Sequence, residues 1–174
     1  MGSVYIDGTD HSHLPLSVLR KGFFVISQDL LEESVPLRKQ LDPDDAFSDA
    51  RIQGVLTQCN LWQRISSEGD GLSSTATDLK LSAGEMQLFC LARTLLDAGS
   101  KEGGVLILDE ATSSLDRETQ RTIDAIVNTE FRNKTVISVS HRLDSSLTGS
   151  NRVIVMEEGR VVQDAGASAA PVTY

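Results

Sequence analysis

The sequence predicts an α/β fold built on a parallel β-sheet, and three observations lead to this prediction. Val105–Leu108 is a short apolar run without alternation, as expected for a strand buried on both faces, and Thr135–Val139 is a second strand-like run. Apolar residues recur at helical spacing between them, at 116–130, and before them, at Glu85–Asp97. Strands that alternate with amphipathic helices form a parallel sheet, which we expect to be covered on both faces.

Composition and charge favour a folded domain and exclude some partners. The chain has 174 residues, of which 40% are hydrophobic and 24% charged, close to the globular average. Its formal net charge of −9 disfavours docking on nucleic acid or on anionic lipid. A small phosphate ligand stays possible, because local amides and one or two cations suffice to bind it.

Targeting signals and cysteines suggest a reducing compartment. No basic region followed by an apolar one opens the sequence, and the longest apolar runs are too short to cross a bilayer. Cys59 and Cys90 lack metal-like spacing, so we expect both to be buried apolar residues. The chain by itself is therefore expected to be cytosolic.

Several further elements are predicted along the chain. The first half has a short strand at Val4–Ile6, one or two helical turns at Leu14–Leu19, a strand at Phe23–Ile26, an amphipathic helix after the turn at 42–44 that extends to about Ile65, and a loop at 66–78. The second half ends in a hairpin of Arg152–Met156 and Arg160–Gln163, followed by a tail at 166–174 that we expect to fray.

An acidic pair follows the apolar strand at 105–108. Asp109 and Glu110 would emerge at its carboxyl end, and ligands of open parallel sheets bind in the crevice outside such ends. Carboxylates there suit Mg²⁺ and an attacking water, with Asp109 serving the ion and Glu110 orienting or deprotonating the water. The alternative is structural: Asp109 caps a turn and Glu110 is solvated.

The segment Leu81–Glu85 opens the strongest helical pattern of the sequence. Ser82 and Gly84 leave the amides of the first turn accessible, and the helix dipole adds partial positive charge, so this end suits phosphate. The alternative is an ordinary capping box between Ser82 and Glu85.

Three further polar positions are candidates. Gln28, at the end of a strand, can reach a metal-bound water, and His141, just past another strand, can contact a terminal phosphate; either residue is alternatively incidental. Ser113–Asp116 follows the acidic pair, and its structural alternative is capping of the next helix by Ser114 or Asp116.

The order of these motifs carries more information than any one of them. A glutamine after a strand, LSAGE at a helix start, VLILDE, SSLD and a histidine after the next strand resemble, in this order, the carboxyl half of the nucleotide-binding domain of ATP-binding-cassette proteins. The resemblance covers nearly the whole chain. It implies an α/β parallel-sheet P-loop NTPase core, incomplete here, with an inserted helical subdomain that carries the signature.

The resemblance also implies a role for each motif. Gln28 corresponds to the Q-loop, Leu81, Ser82, Ala83, Gly84 and Glu85 to the signature, Asp109 to the Walker B aspartate, Glu110 to the catalytic glutamate, Ser114 and Asp116 to the D-loop, and His141 to the switch histidine. In this correspondence Glu110 and His141 are catalytic, Gln28 and Asp109 serve Mg²⁺, and the remaining residues contact ATP.

Further segments narrow the resemblance to the second nucleotide-binding domain of the multidrug-resistance-associated (ABCC-type) subfamily, and to its fungal members. These segments are Ile6–Gly8, Leu37–Pro43 and Gln87–Arg93. The resemblance implies an ATPase domain of an exporter at the cytoplasmic face of a membrane, partnered by an opposing nucleotide-binding domain and transmembrane domains and not by nucleic acid. It divides the chain into a partial core (1–35), a helical subdomain (36–97), an α/β core (98–165) and a flexible tail (166–174).

The sequence departs from the family's pattern in the phosphate loop and in the signature, and, as a minor change, Leu30 follows Asp29 where Pro is common. It contains no GxxxxGK[ST], the phosphate-cradling loop that the family places before the position of Met1. We therefore expect a fragment with an incomplete nucleotide site, poorly soluble or partly molten in isolation because neighbouring strands lack a partner. In the signature Ala83 replaces the usual Gly or His and Glu85 the usual Gln, which puts a negative charge near the expected γ-phosphate unless Glu85 turns away.

Two other functions stay open at this point. One is a non-hydrolytic fragment that pairs with another cassette domain and offers LSAGE in trans. The other is a soluble cassette ATPase of DNA repair or translation, which the acidic charge and the absence of coiled-coil heptads disfavour.

Overall fold

The computed structural model describes residues 2–26, 32, 34–99, 103–109, 115–140 and 151–166. They belong to two compact units that divide between Val139 and Ser140, and each unit is described by itself. The first contains, in chain order, β1 (Tyr5–Ile6), β2 (Thr9–Asp10), α1 (Leu16–Gly22), β3 (Phe23–Ile26), α2 (Leu37–Leu41), α3 (Asp49–Gln58), α4 (Trp62–Glu68), α5 (Ala76–Leu79), α6 (Ala83–Gly99), β4 (Val105–Asp109), α7 (Arg117–Glu130) and β5 (Thr135–Val139).

A parallel sheet of three strands, in the order β3-β4-β5, is the centre of this unit and confirms the predicted α/β class. Parallel pairing requires a long connection between neighbouring strands, and here α2–α6 and α7 provide it. Gly104 permits the close approach of β4 to β3: its φ is +103°, and an added Cβ would lie 2.9 Å from the carbonyl oxygen of Gly22.

The two faces of the sheet differ in burial. Phe24 and Leu106 lie in register on one face and are buried in the hydrophobic core. The opposite face is open in the described part of the chain, where Val25, Ile137 and Val139 are 50%, 48% and 47% exposed. The expectation of a sheet covered on both faces is therefore wrong for these residues.

Helices α2–α6 pack into a dense core before the chain returns to the sheet. Ile52, Val55 and Leu56 of α3 are fully buried, and α6 packs against α2, α3, α7 and β3. Both cysteines are buried as predicted, and burial raises the pKa of the Cys59 thiol to about 12.

Two sequence predictions in this region are wrong. The single amphipathic helix expected to extend to Ile65 is divided into α3 and α4, because Asn60 takes a left-handed conformation with φ +58°. The expected loop at 66–78 contains a 3₁₀ turn at Gly71–Ser73 and the start of α5. A capping box between Thr75 and Asp78 starts α5, a local signal that the Ser- and Gly-rich composition masked.

A buried carboxylate fixes the turn between α2 and α3. Asp42 is 3% exposed, and it accepts hydrogen bonds from the backbone N–H groups of Ala46 (2.9 Å) and Phe47 (2.7 Å) and from Arg38 Nη1 (3.0 Å). Arg38 also pairs with Asp49, at 2.8 Å. Burial acts to raise the pKa of Asp42, but the hydrogen bonds from Phe47, Ala46 and Arg38 outweigh it and lower the pKa.

The second unit is an antiparallel hairpin of β6 (Arg152–Glu157) and β7 (Arg160–Gly166), as predicted. Its turn uses Glu158 and Gly159, both with positive φ, which is typical of two-residue hairpin turns. Across both units, none of the described helices has the length and apolarity needed to traverse a bilayer. The predicted fraying of 166–174 concerns, apart from Gly166, residues outside the described ranges, and the partly molten state of the isolated chain stays a prediction.

Replacing Asp42 with alanine is expected to destabilise the chain by about 1–3 kcal/mol, because the N–H groups of Ala46 and Phe47 lose their acceptor. Asp49→Ala is the matched control: its carboxylate also binds Arg38 but is 66% exposed, so the expected loss is at most about 1 kcal/mol. Urea unfolding followed by the fluorescence of Trp62, the only tryptophan, measures both.

The same carboxylate has a defined pH signature. Because the folded-state pKa of Asp42 lies below its ordinary value of 3.8, its stabilisation is complete above that value and is lost as the pH falls through the folded-state pKa. Asp42→Asn, which keeps an acceptor but no charge, should lose less stability than wild type over this acidic range. If wild type and Asp42→Asn lost equal amounts of stability over this range, the lowered pKa of Asp42 would be contradicted.

Candidate functional site

The carboxyl ends of the three parallel strands are aligned at one edge of the sheet. Ile26 of β3 pairs with Leu108, and Asp109 of β4 pairs with Val139 of β5. Asp109 ends its strand and is exposed, which leaves its carboxylate open to a ligand. An exposed carboxylate is a hard oxygen donor of the type that Mg²⁺ prefers.

Four predicted site residues lie outside the described residues: Gln28, Glu110, Ser114 and His141. In the sequence, three of them follow the aligned strand ends: Gln28 is two residues past Ile26, Glu110 is next to Asp109, and His141 is two residues past Val139. Among the described residues no group of three or more His, Cys, Asp and Glu side chains is placed to hold a metal. Of the predicted Mg²⁺ ligands, only Asp109 is therefore located.

Helix α6 begins at the predicted signature segment, and its start is capped. Ser82 N–H and Ser82 Oγ donate to Glu85 Oε2 at 2.8 and 2.7 Å, and Glu85 N–H donates to Ser82 Oγ at 3.3 Å. The capping-box alternative is thus confirmed. Ala83, the first residue of α6, is exposed, and Leu81 packs partly against the core.

An arginine from α4 holds the Glu85 carboxylate. Arg64 Nη1 donates to Glu85 Oε1, its Nε donates to Glu68 Oε2 at 3.1 Å, and its Nη2 donates to the carbonyl oxygen of Leu79 at 2.7 Å. Burial acts to raise the pKa of Glu85, but hydrogen bonds from Arg64 and Ser82 outweigh it and lower the pKa. Glu85 therefore stays ionised and turns back toward α4.

Arg64 was not among the residues that the sequence singled out. It lies 21 positions before Glu85, so no helical or strand periodicity relates the two side chains. Only the tertiary fold brings Arg64 of α4 to the start of α6, and no local signal in the sequence indicates this contact.

The start of α7 lies against the start of α6. Asp116 caps α7 by accepting from Glu118 N–H at 3.0 Å and from Thr119 N–H at 2.9 Å, and its Oδ2 accepts from Thr119 Oγ1 at 2.7 Å. A Cβ added to Gly84 would lie only 3.2 Å from Thr119 Oγ1 and 3.7 Å from Leu115 Cδ2. The structure thus brings Gly84 of LSAGE close to Leu115 of SSLD and to Thr119, with Asp116 in the capping role.

Comparisons with known proteins relate the chain to transporters. It is 41% identical over 162 residues to an ABC-type transporter of Gibberella zeae, and the matched region covers 93% of the chain and 11% of that protein. It is 37% identical over 164 residues to a probable multidrug resistance-associated protein of Drosophila melanogaster, covering 93% of the chain and 12% of that protein. It is also 37% identical over 164 residues to ATP-binding cassette sub-family C member 3 of Rattus norvegicus, covering 93% of the chain and 10% of that protein.

The chain therefore spans only 10–12% of the length of these relatives. No protein-family model matches it.

The close contact at Gly84 makes a testable prediction. Gly84→Ala should destabilise the chain by roughly 1 kcal/mol, because Thr119 is held by Asp116 and cannot retreat from the new methyl group. Gly54→Ala is the matched control: nothing lies within 4 Å of its added Cβ, so higher helix propensity should stabilise α3 by about 0.5–1 kcal/mol. Opposite shifts of the urea midpoint are expected, and equal shifts would contradict the contact.

Proposed function

We propose that this chain, which belongs to the family of ABC-type transporters, forms part of an ATP-binding and ATP-hydrolysing domain that powers export across a membrane. The aligned carboxyl ends of β3, β4 and β5 are the observation that carries the proposal. Gln28, the pair Asp109-Glu110 and His141 follow these three ends in the sequence, so each has the length of chain needed to reach one crevice.

The proposed chemistry uses the polar groups at this edge. Asp109 and Gln28 bind Mg²⁺ or its hydration shell, and the ion, when bound, offsets the charge that develops on the phosphates. Glu110 accepts the proton of the attacking water, whose oxygen bonds to the γ-phosphorus as the bond to the β-phosphate oxygen breaks. His141 donates a hydrogen bond to the γ-phosphate.

The start of α6 acts on a second nucleotide. Two such domains pair head to tail, so Leu81–Glu85 of one faces the phosphates held by the other. The N-terminal end of a helix suits this contact, and the exposure of Ala83 at the first position of α6 supports it, although the capping box already uses the N–H groups of Ser82 and Glu85. Ser114 and Asp116, at the adjoining start of α7, lie in the same interface.

The open face of the sheet supports a place within a larger assembly. Val25, Ile137 and Val139 are each about half exposed, although strands of parallel sheets are normally covered on both faces. Further polypeptide of the nucleotide-binding domain covers this face in the proposed exporter. The helical region of α2–α6 is then the subdomain inserted between the sheet strands, and the domain lies at the cytoplasmic face below transmembrane partners.

A second function is a non-hydrolytic chain that pairs with another cassette domain. The exposure of Ala83 at the start of α6 favours this function, because a contribution in trans needs LSAGE at the surface. An antibody against α3–α6 separates the two functions in cells. A band much larger than 18.9 kDa supports the exporter, and a band at 18.9 kDa supports the pairing chain.

Association in trans is tested with a separately produced cassette domain that carries a GxxxxGK[ST] loop and a glutamine in place of its catalytic glutamate. The chain should bind this domain with Mg-ATP and not with Mg-ADP, as measured by analytical ultracentrifugation. Ala83→Glu should weaken binding by about tenfold, because a new carboxylate at the start of α6 repels the phosphates.

Ala50→Glu is the matched control for this substitution. It adds the same carboxylate to the exposed first turn of α3, where the helix dipole tolerates it equally well. Its association should equal that of wild type. Absence of any Mg-ATP-dependent association, or equal weakening by both substitutions, would overturn the proposed role of α6.

A further inference from the structure

We propose that Arg64 is a positioning residue of this site, which holds the Glu85 carboxylate back on α4 and so keeps the start of α6 open to an anion. The proposal deepens the proposed function and rests on it. Arg64 itself touches no ligand in this account and acts only through Glu85.

The bonding of Glu85 leaves its two oxygens occupied. Oε1 accepts from Arg64 Nη1, while Oε2 accepts from the N–H and the hydroxyl of Ser82. The side chain of Glu85 is also only 21% exposed, so it has little freedom to turn outward while these bonds last. Its negative charge is therefore fixed in one place and paired there.

The guanidinium of Arg64 is itself held in place from three sides. Glu68, one turn along α4, accepts from its Nε, and the carbonyl oxygen of Leu79, at the end of α5, accepts from its Nη2. Lys80, the residue after Leu79, takes a left-handed conformation with φ +47°, which turns the chain from α5 toward α6. Arg64 thus ties together α4, the end of α5 and the start of α6.

The ion pair between Arg64 and Glu85 affects how an anionic ligand can approach the start of α6. A carboxylate in the first turn favours the helix itself but repels an anion that approaches the same amides. A guanidinium bonded to that carboxylate offsets the repulsion and fixes the carboxylate on the side of α4. Without Arg64, the charge of Glu85 is unpaired and its side chain is released from α4.

The effects of substitutions distinguish two roles for Arg64, one that only joins the helices and one that positions the charge of Glu85. If Arg64 served only to join α4, α5 and α6, then replacing Glu85 in addition to Arg64 would not repair the loss, because glutamine cannot replace the bond to the Leu79 carbonyl. If Arg64 serves to neutralise and hold Glu85, then removing the charge of Glu85 restores the ligand contact.

The test uses the full chain and the Mg-ATP-loaded cassette domain described above. Arg64→Gln is expected to weaken association by about tenfold, and the double variant R64Q/E85Q to return it to within about threefold of wild type. Added salt should reduce the defect of R64Q, because screening weakens the repulsion. Arg38→Gln is the matched control: it removes an equally well-bonded arginine that contacts Asp42, Asp45 and Asp49, and Glu85→Gln should not rescue any effect that it has.

The fluorescence of Trp62 reports whether R64Q folds. If R64Q does not fold, the single variant Glu85→Gln still tests the proposal. E85Q removes the ion pair but also the repelling charge, so association should equal or exceed that of wild type. Weaker association of E85Q, or no recovery in R64Q/E85Q, would overturn the positioning role while wild-type association upholds the proposed function. If wild type itself fails to associate with the Mg-ATP-loaded domain, the proposed role of the start of α6 is overturned, and the role of Arg64 is overturned with it.

Discussion

The packing of α6 is the constraint on which the rest of the first unit depends. This 17-residue helix buries ten of its side chains and packs against β3 on one side and against α2, α3 and α7 on the others. Because it joins the helices to the sheet, its first turn has a fixed position relative to the start of α7. The segment Leu81–Glu85 therefore leads into a rigid element and is not a free loop, so the contact with phosphates that we propose for it would need no reorganisation there.

Much of this architecture was predictable from periodicity, because most of its elements are amphipathic in a simple way. Helix α6 and the strands β3, β4 and β5 were expected from apolar patterns that a buried helix face or a buried strand demands. The division between α3 and α4 could not be predicted in this way. The apolar spacing continues past Asn60, and only the left-handed backbone of that residue interrupts the helix. The open face of the sheet could not be predicted either. The sequence of a strand shows that its side chains can be buried, but it does not show whether another element packs on them.

The candidate site was predictable in part. Ordered motifs indicated Asp109 and the Leu81–Glu85 segment, and both lie at the ends of elements where a ligand can approach. The partner of Glu85 was beyond the reach of sequence reasoning, since Arg64 meets it only through tertiary packing. Glu85 itself shows why residue type alone is a poor guide to charge at a site: a carboxylate that departs from the family's usual glutamine is paired with an arginine drawn from another helix.

The sheet and the helices differ in how far apart in the sequence their contacts lie, and this has a consequence for synthesis on the ribosome. The partners within α2–α6 are neighbours along residues 37–99, so this core can close as soon as that stretch has left the exit tunnel. β3 is made early, yet its partner β4 begins only at Val105, and β5 begins at Thr135. β3 therefore lacks a neighbouring strand during this interval, and α6, which is made before β4 and packs against β3, is the element that can first cover Phe24 and Ile26.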